Sequence, residues 1–150
     1  MRINIPGMNK SLIIIADADA IIAQAVATDS NHDLTLQLAQ KLSESGAHIL
    51  FPSTAIAEAI TTLQRKFSDP NLAAATLELL TNSNIAIEDV DQEIIKGAKK
   101  LFDPNASKKK TLFDCIVAAV AKKHNADAIF SLDDWYEKLG FTLVSKLYSS

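Results

Sequence analysis

Short aliphatic and β-branched runs alternate along the chain with longer stretches whose apolar positions recur every three to four residues. That is the pattern of a parallel sheet covered by helices on both faces, so the predicted fold class is α/β. Residues 12–16 form the first strand, and "DADAIIAQAVA" turns directly into a helix. In 31–45, Leu34, Leu38 and Leu42 have helical spacing, Gly46 ends the helix, and "HILF" is the second strand. Ser53 is expected to cap the helix of "STAIAEAITTLQRKF", and Asp69 with Pro70 starts another. The third strand is expected at 85–87, and Asp89 with Gln92 resembles a capping box for a helix ending near Leu101. The polar stretch 103–110, "DPNASKKK", is a loop too short to link domains. An apolar helix over 111–124, a fourth strand in "DAIFSLD", a short helix in "DWYEKL" and a fifth strand in "FTLVS" complete one expected domain, 1–150.

Composition sharpens this picture. Apolar residues make up 48% of the chain and aromatic ones 6%, so the core should be aliphatic. One cysteine, Cys115, allows no internal disulfide, and His32, His48 and His124 lack zinc-ligand spacing with it, which suits the reducing cytoplasm. Asp17 and Asp19 interrupt the one long apolar segment well short of the roughly 20 residues a membrane span needs, so neither a span nor export is expected. The net charge of −3 argues against holding nucleic acid by a bulk positive field.

Four acids stand out by position. In a parallel sheet ligands bind beyond the carboxyl ends of the strands, where the strand order reverses. Asp17 ends the first strand and Asp133 the fourth. Glu58 is the only charge between Phe51 and Gln64, and Asp114 begins the apolar run "CIVAAVA". Each also has a structural reading. Asp17 and Asp133 suit helix starts, Glu58 suits a solvated helix face, and Asp114 stands three residues after Thr111 as in a capping box.

Together, "LIIIADADAII", "FPSTAIAEAITTL", "TLFDCIVAAVAKKHNADAIFSLD" and "DWYEKLGFTLVS" resemble, in order and spacing, the PIN-domain ribonucleases, especially VapC-like toxins. The resemblance covers about 12–145 and implies a three-layer α/β/α fold with a parallel five-stranded sheet of order 3-2-1-4-5. By it, Asp17, Glu58, Asp114 and Asp133 take the places of the family's acidic cluster. Ser131 matches the hydroxyl position before the last acid, and Asp19 falls where Asn, Ser or Asp is common. Ala18 departs from the pattern, since Thr or Ser is frequent there. The implied activity is hydrolysis of RNA, and the implied partner is an antitoxin.

The chemistry of the cluster agrees. Converging carboxylates repel one another and are desolvated, so a divalent cation is expected to offset them. Oxygen donors favour magnesium or manganese over zinc. Asp17 and Asp114 are expected as principal metal ligands, Asp133 as a direct or water-mediated one, and Glu58 as the residue that orients the attacking water. Two divalent ions bring the formal charge from −3 to about +1. Substrate contacts are expected from Ser131, Asp19 and the run Lys108, Lys109 and Lys110, which otherwise reads as a solvated loop. Trp135 and Tyr136 read as packing residues, although both suit base stacking. Apolar residues of the helices in 31–45 and 54–81 suggest a homodimer surface, or simply core. Two alternatives stand beside the nuclease. One is a receiver-like phosphoacceptor using Asp17, Asp19, Asp89, Ser131 and Lys146, which leaves Glu58 and Asp114 without roles. The other is a PIN-like module that binds RNA without cutting it.

Overall fold

The chain runs β1 (Ile13–Ala16), α1 (Ala18–Ala25), α2 (His32–Glu44), β2 (His48–Pro52), α3 (Ser53–Arg65), α4 (Pro70–Leu80), β3 (Ala86–Glu88), α5 (Gln92–Lys99), α6 (Leu112–Lys123), β4 (Ala128–Phe130), α7 (Trp135–Lys138) and α8 (Val144–Leu147). The structure is a computed structural model that describes residues 10–82, 84–106 and 110–149. Its strands form a parallel sheet of order β3-β2-β1-β4. The central strand β1 pairs Ile14 with Ile49 of β2 and with Ala128 of β4. It has neighbours on both edges and helices on both faces, which is why its "IIIA" run is apolar at every position rather than at every second one.

Side-chain alternation splits the core into two layers. Ile15 and Ile129 face α5 and α6, where they meet Ile94, Ala98, Val117 and Ala121. Ile14, Ala128 and Phe130 face the other way, onto Leu38 and Leu42 of α2. Beside these layers α1, α3 and α4 share a cluster of Ala18, Ile21, Ile56, Ala59 and Leu80. The three-layer α/β/α arrangement and the aliphatic core are as expected. Among the described residues no helix is long and apolar enough to cross a membrane.

Several local expectations need correction. The fifth strand is reduced to one parallel bridge, Ile129 to Leu143, in which Ile129 N–H donates to the Thr142 carbonyl at 2.8 Å. The chain then turns into α8, because helical backbone seats Val144, fully buried, against Ile14 and Phe130. The bridge still lies against β4, the side on which a fifth strand was expected. Pro52, not Ser53, is the N-cap of α3. Asp91, not Asp89, caps α5, its Oδ1 accepting from Ile94 N–H at 3.0 Å. The third strand begins one residue later than expected. The fourth ends at Phe130 because the polar residues after it use their side chains to satisfy backbone donors. Asp69 does cap α4, accepting from Leu72 N–H at 2.9 Å, and Gly46 ends α2 at a φ of +70°, a conformation that favours glycine.

Candidate active site

At the carboxyl end of β1 the backbone of Asp17 still belongs to the sheet, its N–H donating to the Phe130 carbonyl at 3.0 Å. Its side chain already belongs to the next helix, capping α1 by accepting from Ala18 N–H at 2.7 Å. Strand end and helix start therefore coincide in one residue, and Asp17 is 4% exposed. The structural reading of Asp17 as a cap is correct, but a cap does not require burial among other acids.

The second oxygen of Asp17, Oδ2, accepts from the Tyr136 hydroxyl at 2.7 Å and lies 3.3 Å from Ser131 Oγ. Ser131 Oγ is closer to Oδ2 of Asp19, at 2.9 Å, and has one proton to give, so Asp19 receives it more strongly. Leu132 N–H also donates to that Asp19 oxygen at 2.9 Å, while Ser131 Oγ accepts from Asp133 N–H at 3.0 Å. The turn after β4 thus ties Asp17, Asp19, Ser131 and Asp133 together. The other oxygen of Asp19, Oδ1, is buried without a hydrogen-bond partner among the described residues. A buried carboxylate oxygen left so is costly unless a proton or a cation meets it.

Electrostatics join two further acids to this pair. Burial pushes Asp17 well above the usual carboxylate range, and the charges of Asp19 and Asp114 push it further, against the donors Tyr136 and Ala18. Asp19 is raised chiefly by burial, opposed by Leu132 N–H, Ser131 and Ala20 N–H, with Asp133 adding a smaller rise. Glu58, half-buried on α3, is pushed up to about 7 by burial, then by Asp114 and Asp19. Tyr136, fully buried and facing these carboxylates, has its phenol raised too, so it remains a hydrogen-bond donor across the physiological range.

Asp114 occupies the capping box read from the sequence. Its Oδ2 accepts from Thr111 N–H at 2.8 Å and lies 3.3 Å from Thr111 Oγ1. The cap holds the carboxyl group at the start of α6, where its charge reaches both Asp17 and Glu58. Asp133 faces a cation of the protein's own. Lys110 Nζ donates to its Oδ1 at 2.6 Å and sits 5.5 Å from the centre of the Trp135 ring. Trp135 N–H donates to the same oxygen at 2.9 Å. Lys110 is thereby placed on an acid of the cluster, while Lys108 and Lys109 lie outside the described residues. A depression of about 510 Å³ here is lined by Asp19, Lys110, Leu132, Asp133 and Asp134. A smaller one of about 190 Å³ opens beside Glu58.

Among the described residues no three His, Cys, Asp or Glu side chains stand, as placed, close enough to ligate one ion. The donor set nevertheless fits a hard divalent cation. It is all oxygen, Asp19 and Asp114 raise the pKa of both Asp17 and Glu58, and Asp19 Oδ1 has no hydrogen bond among the described residues. Sequence reading passed over Tyr136 as a polar partner. Its only signal was a residue with a polar tip in a segment expected to pack, and packing does describe its ring, edge-on to Trp135 at 5.2 Å. Cys115 is a buried core residue. Lys123, in the last turn of α6, donates to Glu88 Oε1 at 3.0 Å.

Residues 14–141 match the family model of the PIN domain. Among solved structures, VapC20 of Mycobacterium tuberculosis, described as a sarcin-ricin loop cleaving toxin, aligns with a TM-score of 0.71 and 18% identity, covering 86% of this chain and 96% of its own. VapBC2 of Rickettsia felis, bound to a DNA fragment from their promoter, aligns with a TM-score of 0.59 and 15% identity, covering 88% of this chain and 96% of the other. No curated relative matches by sequence. The two structural likenesses concern the fold, whereas the family match spans most of the sequence and leaves no place for a receiver-like reading. On that match, the chain belongs to the PIN-domain family.

Proposed function

We propose that this chain is a divalent-metal-dependent ribonuclease that hydrolyses phosphodiester bonds of RNA, acting as the toxin of a toxin–antitoxin pair. One observation carries the reading: Asp17 is buried at the end of β1 where Asp19 and Asp114 raise its proton affinity, the same two acids raise that of Glu58, and Oδ1 of Asp19 is buried with no hydrogen bond among the described residues. A set of structural caps has no need of that crowding.

Asp17 and Asp114 would hold magnesium or manganese, with Asp133 directly or through water. When bound, such an ion supplies Lewis acidity for the phosphoryl oxygens and a source of hydroxide at neutral pH. The chain's own groups do the rest. Tyr136 O–H and Ala18 N–H fix the two oxygens of Asp17, so the carboxylate needs little rearrangement to bind. Ser131 and Leu132 N–H do the same for one oxygen of Asp19. Glu58, with a carboxyl group poised at about 7, takes the proton of the attacking water as its oxygen bonds to phosphorus. The opposite P–O ester bond then breaks, and the departing oxygen takes a proton from bulk water while Glu58 returns its own to solvent.

Three further elements belong to the same proposal. The description of VapC20 supports RNA as substrate, and the promoter-bound VapBC2 supports an antitoxin partner. Leu34 and Leu36 of α2 and Leu77 and Leu79 of α4, all exposed, support a homodimer. The single, buried cysteine suits the reducing cytoplasm.

The test is cleavage of single-stranded or looped RNA by the purified chain. Cutting is expected with magnesium or manganese, to disappear in excess EDTA, and to be lost in Asp17→Asn. Undiminished cleavage in EDTA overturns the proposal.

A further inference from the structure

The smaller cavity beside Glu58 is lined by Ala57, Glu58, Thr61 and Thr62 of α3 and by Phe113 of α6. Two facts set it apart. Phe113 directly precedes Asp114, and its side chain is 42% exposed, an apolar ring left in water at the rim of an acidic centre. The cavity also takes in Glu58, itself one of the acids of the cluster, so the cavity adjoins the cluster at that residue. Its volume, about 190 Å³, is below the roughly 300 Å³ at which pockets for drug-sized ligands begin, which suits one flat ring system and little more.

Resting on the nuclease reading above, we propose that this cavity is a nucleobase subsite: the base of a nucleotide next to the scissile phosphate stacks on Phe113 while its phosphate lies at Asp17 and Asp114. An exposed aromatic face offers every base the same apolar surface, and such stacking is tolerant of sequence. Thr61 and Thr62 supply the polar edge. Thr62 Oγ1 donates its proton to the Glu58 carbonyl at 2.8 Å, so towards a ligand it is an acceptor only. Every base carries an N–H that can meet that acceptor, uracil through N3, so this edge does not choose among them. Stacking strength does, and the larger rings of adenine and guanine give the subsite a modest preference for purines at one position flanking the cut. Placing the base here also fixes the phosphate against the acids, which is how binding energy away from the reacting atoms serves the reaction.

The experiment compares wild type with Phe113→Ala, Phe113→Tyr and Phe67→Ala on a randomised single-stranded RNA in magnesium. Fragment ends are sequenced, kcat and KM are measured, and melting curves confirm folding. Phe67 is an exposed phenylalanine nine positions beyond Glu58 and serves as the control. Phe113→Ala is expected to raise KM about fivefold or more, the low end of what base–aromatic stacking contributes, and to flatten the base preference at one flanking position. Phe113→Tyr keeps the ring and should retain both, and Phe67→Ala should match wild type. A Phe113→Ala variant that folds and cuts with wild-type KM and base preference overturns the subsite while leaving the nuclease intact. A wild type that neither binds nor cuts RNA overturns both.

Discussion

The phenolic hydroxyl of Tyr136 donates to Oδ2 of Asp17 at 2.7 Å, linking a fully buried aromatic ring in α7 to the carboxylate at the end of the central strand. The ring packs edge-on against Trp135, and only its oxygen addresses the acid. Tyr136→Phe therefore separates the two contributions, because it keeps the packing and removes the donor. Losing a buried hydrogen bond to a charged group costs on the order of 1–3 kcal/mol. The variant is expected to melt lower than wild type and to need several-fold more manganese for the same rise in melting temperature, with kcat falling more than KM. An unchanged manganese requirement would return Tyr136 to a purely packing role.

Asp114 is both the partner in a helix cap and a member of the acidic group, and substitution by Asn distinguishes which matters. Asn keeps an oxygen that can accept from Thr111 N–H, so most of the cap survives. The charge that raises Asp17 and Glu58 disappears. Metal-free Asp114→Asn should then melt at or above wild type, while cleavage is lost and magnesium no longer raises the melting temperature as much. If Asp114 were only a cap, the variant would melt equal to or lower than wild type in EDTA, keep its response to magnesium and still cut RNA. Melting in EDTA and in millimolar magnesium, beside a cleavage assay, decides between them.

The fold was legible where periodicity is strong and the environment is two-sided. The "IIIA" strand and the apolar α6 could be read because burial on both faces leaves few polar choices. The caps at Asp69 and Thr111 were legible because capping is local chemistry. The fifth strand was not, since "FTLVS" has strand-like composition while its fate depends on where Val144 finds burial, a tertiary matter. The same limit applies to the site. Acids at strand ends are visible in a sequence, but the Tyr136 hydroxyl reaching Asp17 and Lys110 reaching Asp133 are contacts across 119 and 23 residues that no local pattern encodes.

Lys110 gives the third expectation. Its ammonium group is held by Asp133 and lies over Trp135, so it acts as a tethered counter-cation at one side of the cluster. Both side chains are about a quarter exposed, and the pair contributes modestly to folding, on the order of 1 kcal/mol or less. Lys110→Met retains an apolar stem against Trp135 and releases Asp133. Folding stability should change little, and manganese should bind more tightly because one more carboxylate is available to it. A manganese titration of melting temperature measures this directly, and weaker manganese binding in Lys110→Met would overturn the role assigned to the pair.

The raised carboxyl groups give the metal-free protein a defined dependence on pH. Asp17, Asp19 and Glu58 are all pushed above their ordinary values of 3.8, 3.8 and 4.5, Glu58 to about 7, mainly by burial. In the window between the unfolded and folded values the native state therefore binds more protons than the unfolded one, so stability falls as pH rises. Glu88, lowered by His124 and Lys123 against its burial, acts in the opposite sense, but its window lies below 4.5, outside the range from pH 5.5 to 7.5. In EDTA the melting temperature should accordingly be higher at pH 5.5 than at pH 7.5. Divalent ions bind the deprotonated carboxylates, so the rise produced by magnesium should be larger at pH 7.5 than at pH 5.5. Glu58→Gln should flatten part of the EDTA slope, because the group whose window runs from 4.5 to about 7 no longer titrates. Melting scans of both proteins at the two pH values, with and without magnesium, supply the measurement. A metal-free wild type whose melting temperature climbs from pH 5.5 to 7.5 would mean that these acids do not crowd one another in solution.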